Sequence, residues 1–453
     1  MRLRKGQHSR GVHARASLTL LDQIFSSTSN FAVGVVVARV AGPSGLGGFA
    51  FAYASWQLLA AMHRSLVTDP MAIEGDVHKE EVVTSMKRGL AAEMLLGSVG
   101  ALIMGLFGAI LWVLGQRTFG IAVVAMAPWV PLLQAQDYWR WMGFLSRRPS
   151  RSLANDAMFN CAQAAAIAVV LAAHLHSAAA VITSWGLGGA VGALYGLRQY
   201  RVVPSFRGGL HLLRSRWSFS KWIAGNQLLT AGATQMYVAI SAAILGPIAL
   251  GGFKAAQALV IGPAGVLIQA GGSLGLPESS RAYSSKGWWG LLRVSRLVTA
   301  AGTVSIAACV IVVGFWGSSL LRLFYGPEFA KFQSVAMLIG IGFILIGLAL
   351  GPILVLKVTR RTKWLFHTQV LDLVVSLCAI AILSSMYGVK GTAIATIISG
   401  ALELATLRWF QRKTQRSLEA EEPPVVAGAP PLVPLPVAPI NRALGSTALS
   451  SDG

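Results

Sequence analysis

Apolar residues in this chain gather into runs of about 20, the length a helix needs to cross the hydrocarbon core of a bilayer. Short polar or basic breaks separate them. The pattern predicts twelve spanning helices, at 19–40, 47–68, 89–114, 119–136, 155–174, 178–197, 223–245, 248–273, 296–316, 334–356, 366–386 and 390–410. Between the first and second runs stands Gly42-Pro43-Ser44-Gly45-Leu46-Gly47-Gly48-Phe49, and between the seventh and eighth Gly246-Pro247-Ile248-Ala249-Leu250-Gly251-Gly252-Phe253. Gly-Pro ends a helix, because proline has no N–H to donate and glycine accepts dihedrals other residues avoid. The following Gly-Gly lets the next helix begin close to a neighbour. One motif in equivalent places of two halves predicts a duplicated helical bundle.

Composition agrees. The chain has 453 residues, 54% hydrophobic and only 12% charged, against about 25% charged in a soluble domain. The expected fold class is all-α polytopic: about twelve transmembrane helices in two pseudo-symmetric six-helix lobes. The expected division is a basic N-terminus at 1–18, one lobe at 19–197, a basic cytoplasmic linker at 198–222, a second lobe at 223–410 and a disordered Pro/Ala-rich tail at 411–453.

A net charge of +21 would suggest nucleic acid if the cations were clustered without regard to the spans. Instead Lys and Arg fall overwhelmingly on one side of the twelve runs. Arg117, Arg322, Lys331 and Lys390 fall on the other, and Arg39, Arg64 and Lys254 within. This asymmetry is the positive-inside rule and predicts both termini in the cytoplasm, with attraction to anionic lipids as a secondary effect. No nucleic-acid partner is expected. Residues 1–18 run into a full-length span without a small-residue cleavage site, so a retained first helix is expected. Cys161, Cys309 and Cys378 lie within spans and imply neither a disulfide framework nor a metal site. His174 and His176 lack carboxylate or cysteine partners nearby in sequence, so no metal and no cofactor is expected.

Four groups of residues resemble the polysaccharide, or O-antigen-type, branch of the multidrug/oligosaccharidyl-lipid/polysaccharide (MOP) flippase superfamily. They are Leu21-Asp22-Gln23 with Ser29-Asn30-Phe31; Ala38-Arg39 before Gly42-Pro43; Gln136-Asp137-Tyr138-x-Arg140 with Asn155-Asp156; and Leu245-Gly246-Pro247 through Lys254-Ala255-Ala256-Gln257. The resemblance spans about residues 18–412. It implies two six-helix lobes around a central cavity, as in MATE transporters, in a bacterial cytoplasmic membrane. It also implies transfer of a lipid-linked glycan between leaflets, alongside a glycan polymerase and glycosyltransferases.

Charges at bilayer depth normally face a bundle interior or a polar cavity, since insertion costs about 2.5–3.5 kcal/mol each. Lys254 either lines such a cavity and attracts a diphosphate or snorkels to the interface. Gln257, one turn on, shares its face. Arg39 and Arg64 are the other candidate cations, Arg39 near the membrane boundary and Arg64 one turn from Asp69, its possible partner. Asn226 and Gln227 are candidates for sugar hydroxyls or for bonds between helices. Asp22 is a candidate for a coupling ion, or an ordinary paired carboxylate. Asp137 and Arg140 at i,i+3 can pair on one helix face, with Asp156 completing either a loop anchor or a cytoplasmic gate. No G-x-x-x-x-G-K-[ST] loop, H-E-x-x-H or nucleophile elbow is present, so an enzyme is not expected. The expected function is a flippase for polyprenyl-diphosphate-linked oligosaccharide. A cation-coupled multidrug exporter and a non-transporting scaffold of glycan assembly are the alternatives.

Overall fold

The computed structural model describes the backbone of residues 2–74, 79–146 and 148–421; side chains are described over 28–72, 82–146, 148–228, 231–232, 235–262 and 275–418. The described chain is helical throughout, without strands: α1 (Arg2–Leu66), α2 (Thr68–Glu74), α3 (Lys79–Val113), α4 (Arg117–Met126), α5 (Val130–Leu145), α6 (Pro149–Ala172), α7 (Ala178–Tyr200), α8 (Phe206–Phe324), α9 (Gln333–Val358) and α10 (Thr362–Glu421), with 3-10 turns at Ala127–Trp129 and Pro327–Phe332. Residues 1–411 form one compact unit.

Nine helices among the described residues are long and apolar enough to cross a membrane. They are fewer than the twelve expected because helical runs continue through single glycines. Thr28–Ala72 passes through Gly42, Gln235–Gly262 through Gly246 and Thr362–Leu418 through Gly388. All three glycines have positive φ, at 64°, 73° and 58°. The chain folds back at these points. Across Gly246 the rings of Tyr237 and Phe253 are 5.9 Å apart, and across Gly388 the Ser384 and Thr392 hydroxyls are 2.8 Å apart. Eight residues of straight helix would separate the latter pair by about 12 Å.

The stretch expected as a linker at 198–222 is largely helix, since α8 begins at Phe206, and α10 runs to Glu421, into the start of the expected tail. Beyond 421 the tail lies outside the described residues.

Apolar side chains are distributed for two solvents. Inside, Val33, Val37, Phe253, Tyr325, Phe329 and Ile339 join α1, α8 and α9 in one core, while Trp56, Phe119, Val123 and Trp185 join α1, α4 and α7 in another. Outside, Leu102, Val113 and Phe315 are 74–77% exposed, as expected for helices whose surroundings are acyl chains.

The two Gly-Pro motifs meet each other. A methyl group added at Gly47 would lie 1.9 Å from the carbonyl oxygen of Pro247, and one added at Gly251 would lie 1.9 Å from that of Pro43. The contact is reciprocal: the Gly-Gly of each copy receives the proline of the other. Only a residue without Cβ permits this approach, which allows weak Cα–H···O bonds worth about 0.5–1 kcal/mol each. The next glycines repeat the relation. Gly48 abuts Thr118 at the start of α4, and Gly252 abuts Phe332 at the start of α9.

Gly251→Ala is expected to destabilise the detergent-solubilised protein by about 1–3 kcal/mol, the range for overpacking, read as a fall of several degrees in melting temperature. Gly225→Ala is the control, since a methyl there meets nothing within 4 Å. Equal melting temperatures for the two variants would refute the contact's importance.

Candidate functional site

Below the joined turns lies a cavity of about 950 Å3, walled by α1, α8, α9 and α10, within the size range of small-molecule sites. Much of its wall is apolar and aromatic, including Phe31, Phe49, Phe343, Ile346, Phe366 and Leu373. Polar groups come from both halves of the chain: Asn30, Tyr53 and Gln57 from α1, Gln235, Tyr237 and Gln257 from α8, and Gln369, Ser376, Thr396 and Ser399 from α10. Among the described lining residues only Lys254 and Asp372 are charged.

Lys254 enters the cavity because the turn at Gly246 sends α8 back beside its own preceding segment and sets this residue two turns along the returning helix. Its ammonium donates to Gln257 Oε1 at 2.9 Å, the i,i+3 partner read from the sequence. An ammonium carries three N–H groups, so two remain for an anion. Gln57 Nε2 donates to the Tyr53 hydroxyl at 2.9 Å, and Tyr237 donates to the carbonyl of Thr392 at 3.1 Å. Asp372 accepts from Ser399 Oγ at 2.6 Å. The cavity thus holds a cationic point in α8 and an anionic point in α10, together with neutral donors and acceptors.

The three cations proposed from sequence are not brought together. Arg39 lies outside this cavity. Its Nε donates to the carbonyl of Phe324 at 2.9 Å, and its Nη2 to those of Arg322, at 3.4 Å, and Leu323. It therefore caps the C-terminal end of α8, where unpaired carbonyls favour a cation. Arg64 also lies elsewhere. Its Nε is 3.0 Å from Asp137 Oδ2 and its guanidinium sits 5.9 Å from the centre of the Trp141 ring. The expected Arg64–Asp69 pair gives way to one reaching α5.

Asp137 and Arg140 do not pair along their helix. Arg140 Nε is 3.1 Å from Asp156 Oδ2 in α6. Gln136 Nε2 donates to the other Asp156 oxygen at 2.9 Å, while Asn155 Nδ2 donates to the carbonyl of Gly192 in α7 at 2.8 Å. Asp156 joins a charge cluster, and the members described above precede α8. These contacts tie α1, α5, α6 and α7 to one another, the placement of a brace within the first half.

Asn226 and Gln227 are engaged in interactions of their own and are not among the lining residues. Asp69 is half-buried in α2, away from the cavity. The side chain of Asp22 lies outside the described residues. Sequence reasoning passed over Tyr53, Gln57, Gln369 and the role of Asp372. The available signal was polar spacing on apolar helices: Tyr53 and Gln57 at i,i+4, and Gln369, Asp372 and Ser376 at i, i+3 and i+7, each set forming one stripe. No cluster of three or more potential metal ligands occurs among the described residues.

A family model described as "Polysaccharide biosynthesis protein" matches residues 151–288. No curated protein sequence matches the chain. Among solved structures, an inward-facing multidrug resistance MATE family transporter of the MOP superfamily matches with a TM-score of 0.70 at 12% identity, over 89% of this chain and 96% of that one. The lipid II flippase MurJ, in an inward closed conformation, matches at 0.66 with 11% identity, over 86% of this chain and 87% of that one. An outward-facing MATE transporter of the MOP superfamily matches at 0.54 with 11% identity, over 91% and 97%. At such identities these likenesses establish fold and leave substrate to the chemistry of the site. The chain is a multi-pass helical membrane protein with the fold of MOP-superfamily transporters, and the central part of its sequence matches a polysaccharide-biosynthesis family model.

Proposed function

We propose that this protein is a flippase that moves a polyprenyl-diphosphate-linked oligosaccharide across a bacterial cytoplasmic membrane by alternating access. The observation that carries the reading is Lys254 in an amphipathic cavity of about 950 Å3 with two N–H groups unused. The ammonium attracts the diphosphate. Gln57, Asn30, Gln257 and Gln369 hydrogen-bond sugar hydroxyls, and the aromatic walls lie against sugar faces. The prenyl chain stays in the bilayer throughout. The polysaccharide-biosynthesis family match and the shared fold with a lipid II flippase support this substrate class.

In this reading the lobes at 19–197 and 223–410 rock about the cavity, with both termini in the cytoplasm and the Gly-Pro turns on the outer side. The ionic braces keep the first lobe moving as a block. A glycan polymerase and glycosyltransferases act before and after transport.

Lys254→Ala is expected to reduce surface glycan at least tenfold at unchanged protein level, measured by glycan staining in cells complemented with each variant, while Lys254→Arg retains part of the activity. Wild-type glycan with Lys254→Ala would remove Lys254 from the mechanism and with it the main support for this substrate.

Asp372 in the same cavity favours a second reading, a cation-coupled multidrug exporter, because a carboxylate attracts cationic drugs. The flippase reading expects expression of the protein to leave ethidium accumulation in efflux-deficient cells unchanged. Lowered accumulation that is restored by Asp372→Asn would favour the exporter instead.

A further inference from the structure

A second hollow, shallow and of about 550 Å3, is lined by Arg39, Ser318, Ser319, Arg322 and Leu323. Its two arginines come from α1 and from the end of α8. Arg322 belongs to the side of the spans where basic residues are scarce, so this pairing of cations runs against the charge bias of the chain. Like charges brought together on an exposed surface are unfavourable unless an anion joins them.

The geometry is suited to one. Hydrogen bonds to the carbonyls of Phe324, Arg322 and Leu323 use three N–H groups of Arg39 and fix its guanidinium against the helix end. A guanidinium has five, and the two on Nη1 remain. Ser318 and Ser319 stand one turn before Arg322 on the same helix and share its face. Two guanidiniums and two hydroxyls supply directional donors for phosphate oxygens. Glu328, whose carboxylate reaches toward Gly42, is not part of the lining.

The hollow is also a neighbour of the central cavity. Phe31 and Tyr325 face the cavity, while Arg322 and Leu323, just before Tyr325 on the chain, face the hollow. Between the two lies an aromatic wall, in which Phe31 meets Phe324 edge-on at 5.4 Å and Tyr325 at 5.9 Å.

We propose that Arg39, Arg322, Ser318 and Ser319 form an exit-side station for the phosphate-bearing headgroup of the transported lipid, an inference that rests on the flippase reading above. The diphosphate passes from Lys254 to the arginine pair when the aromatic wall opens. The station gives the outward step a cationic destination on a face otherwise poor in cations.

The test is calorimetric titration of the full-length protein in phosphatidylcholine nanodiscs with farnesyl diphosphate, with empty nanodiscs subtracted. Wild type is expected to bind at two sites and Lys254→Ala at one. Arg322→Ala should lose the other, with at least tenfold weaker affinity there and an unchanged melting temperature. Ser319→Ala, expected to weaken the same site several-fold, serves if Arg322→Ala does not fold. Binding by Arg322→Ala or Ser319→Ala that matches wild type overturns the station. Inorganic pyrophosphate separates the sources. At least tenfold preference for the prenylated probe supports a lipid headgroup, and equal competition by pyrophosphate overturns that assignment in favour of free phosphate. If these variants bind normally while Lys254→Ala still abolishes surface glycan, the station alone falls. If Lys254→Ala leaves glycan intact, the flippase reading falls.

Discussion

The backbone contact between the two Gly-Pro motifs is the constraint on which the rest of the architecture depends. Each turn is made by a glycine of positive φ followed by a proline, and each proline carbonyl occupies space that a side chain at the other copy's Gly47 or Gly251 would fill. The halves are thereby joined at one end through main-chain atoms alone. Phe31 against Phe324 and Tyr325, and Arg39 on the last carbonyls of α8, reinforce the join nearby. Away from that end the helices leave the central cavity between them. Its position follows from where the turns place the returning segments that carry Tyr53, Gln57, Lys254 and Gln257.

Within the first half, stability comes from a different source. Arg64 with Asp137 and Arg140 with Asp156 link three helices, and Asn155 adds the fourth through the Gly192 carbonyl. Removing one partner of such a pair leaves the other charge stranded in a low-dielectric setting, a loss of about 3–5 kcal/mol for fully buried cases. These pairs are partly exposed, so their worth is smaller, and they act together with bonds such as Trp139 Nε1 to the Ala193 carbonyl and Ser152 Oγ to the Arg140 carbonyl in setting the relative rotation of these helices. The charge cluster and the cavity divide the polar residues between holding and handling.

The fold was largely legible in the sequence. Spanning-length apolar runs and the repeated motif pointed to a duplicated helical bundle, and the Gly-Gly pairs pointed to close backbone approach without saying what approached. Lys254 and Gln257 were recognisable because a lysine in an apolar run needs a polar outlet, and the i,i+3 spacing supplied its partner. Arg39 and Arg64 lie outside the central cavity, a placement the sequence does not give, because it sets depth in the membrane but not direction around the helix. One faces a helix end 283 residues or more away along the chain, the other a carboxylate on α5. Asp372 was visible as a charge at bilayer depth, but its place in the same cavity as Lys254 depends on the packing of α10 against α8, which no local pattern encodes.

The reciprocal contacts at Gly47 and Gly251 are made by glycine Cα groups and proline carbonyls, without a charged group in either contact. Salt screens interactions between exposed charges within about a nanometre at physiological strength, and protonation rearranges carboxylates and imidazoles, but neither acts directly on this seal. A closure built from peptide groups therefore holds similarly in a dilute, brackish or acidic surrounding. Under the proposed topology, which sets these turns on the outer side, that suits a barrier meeting an environment the cell does not control.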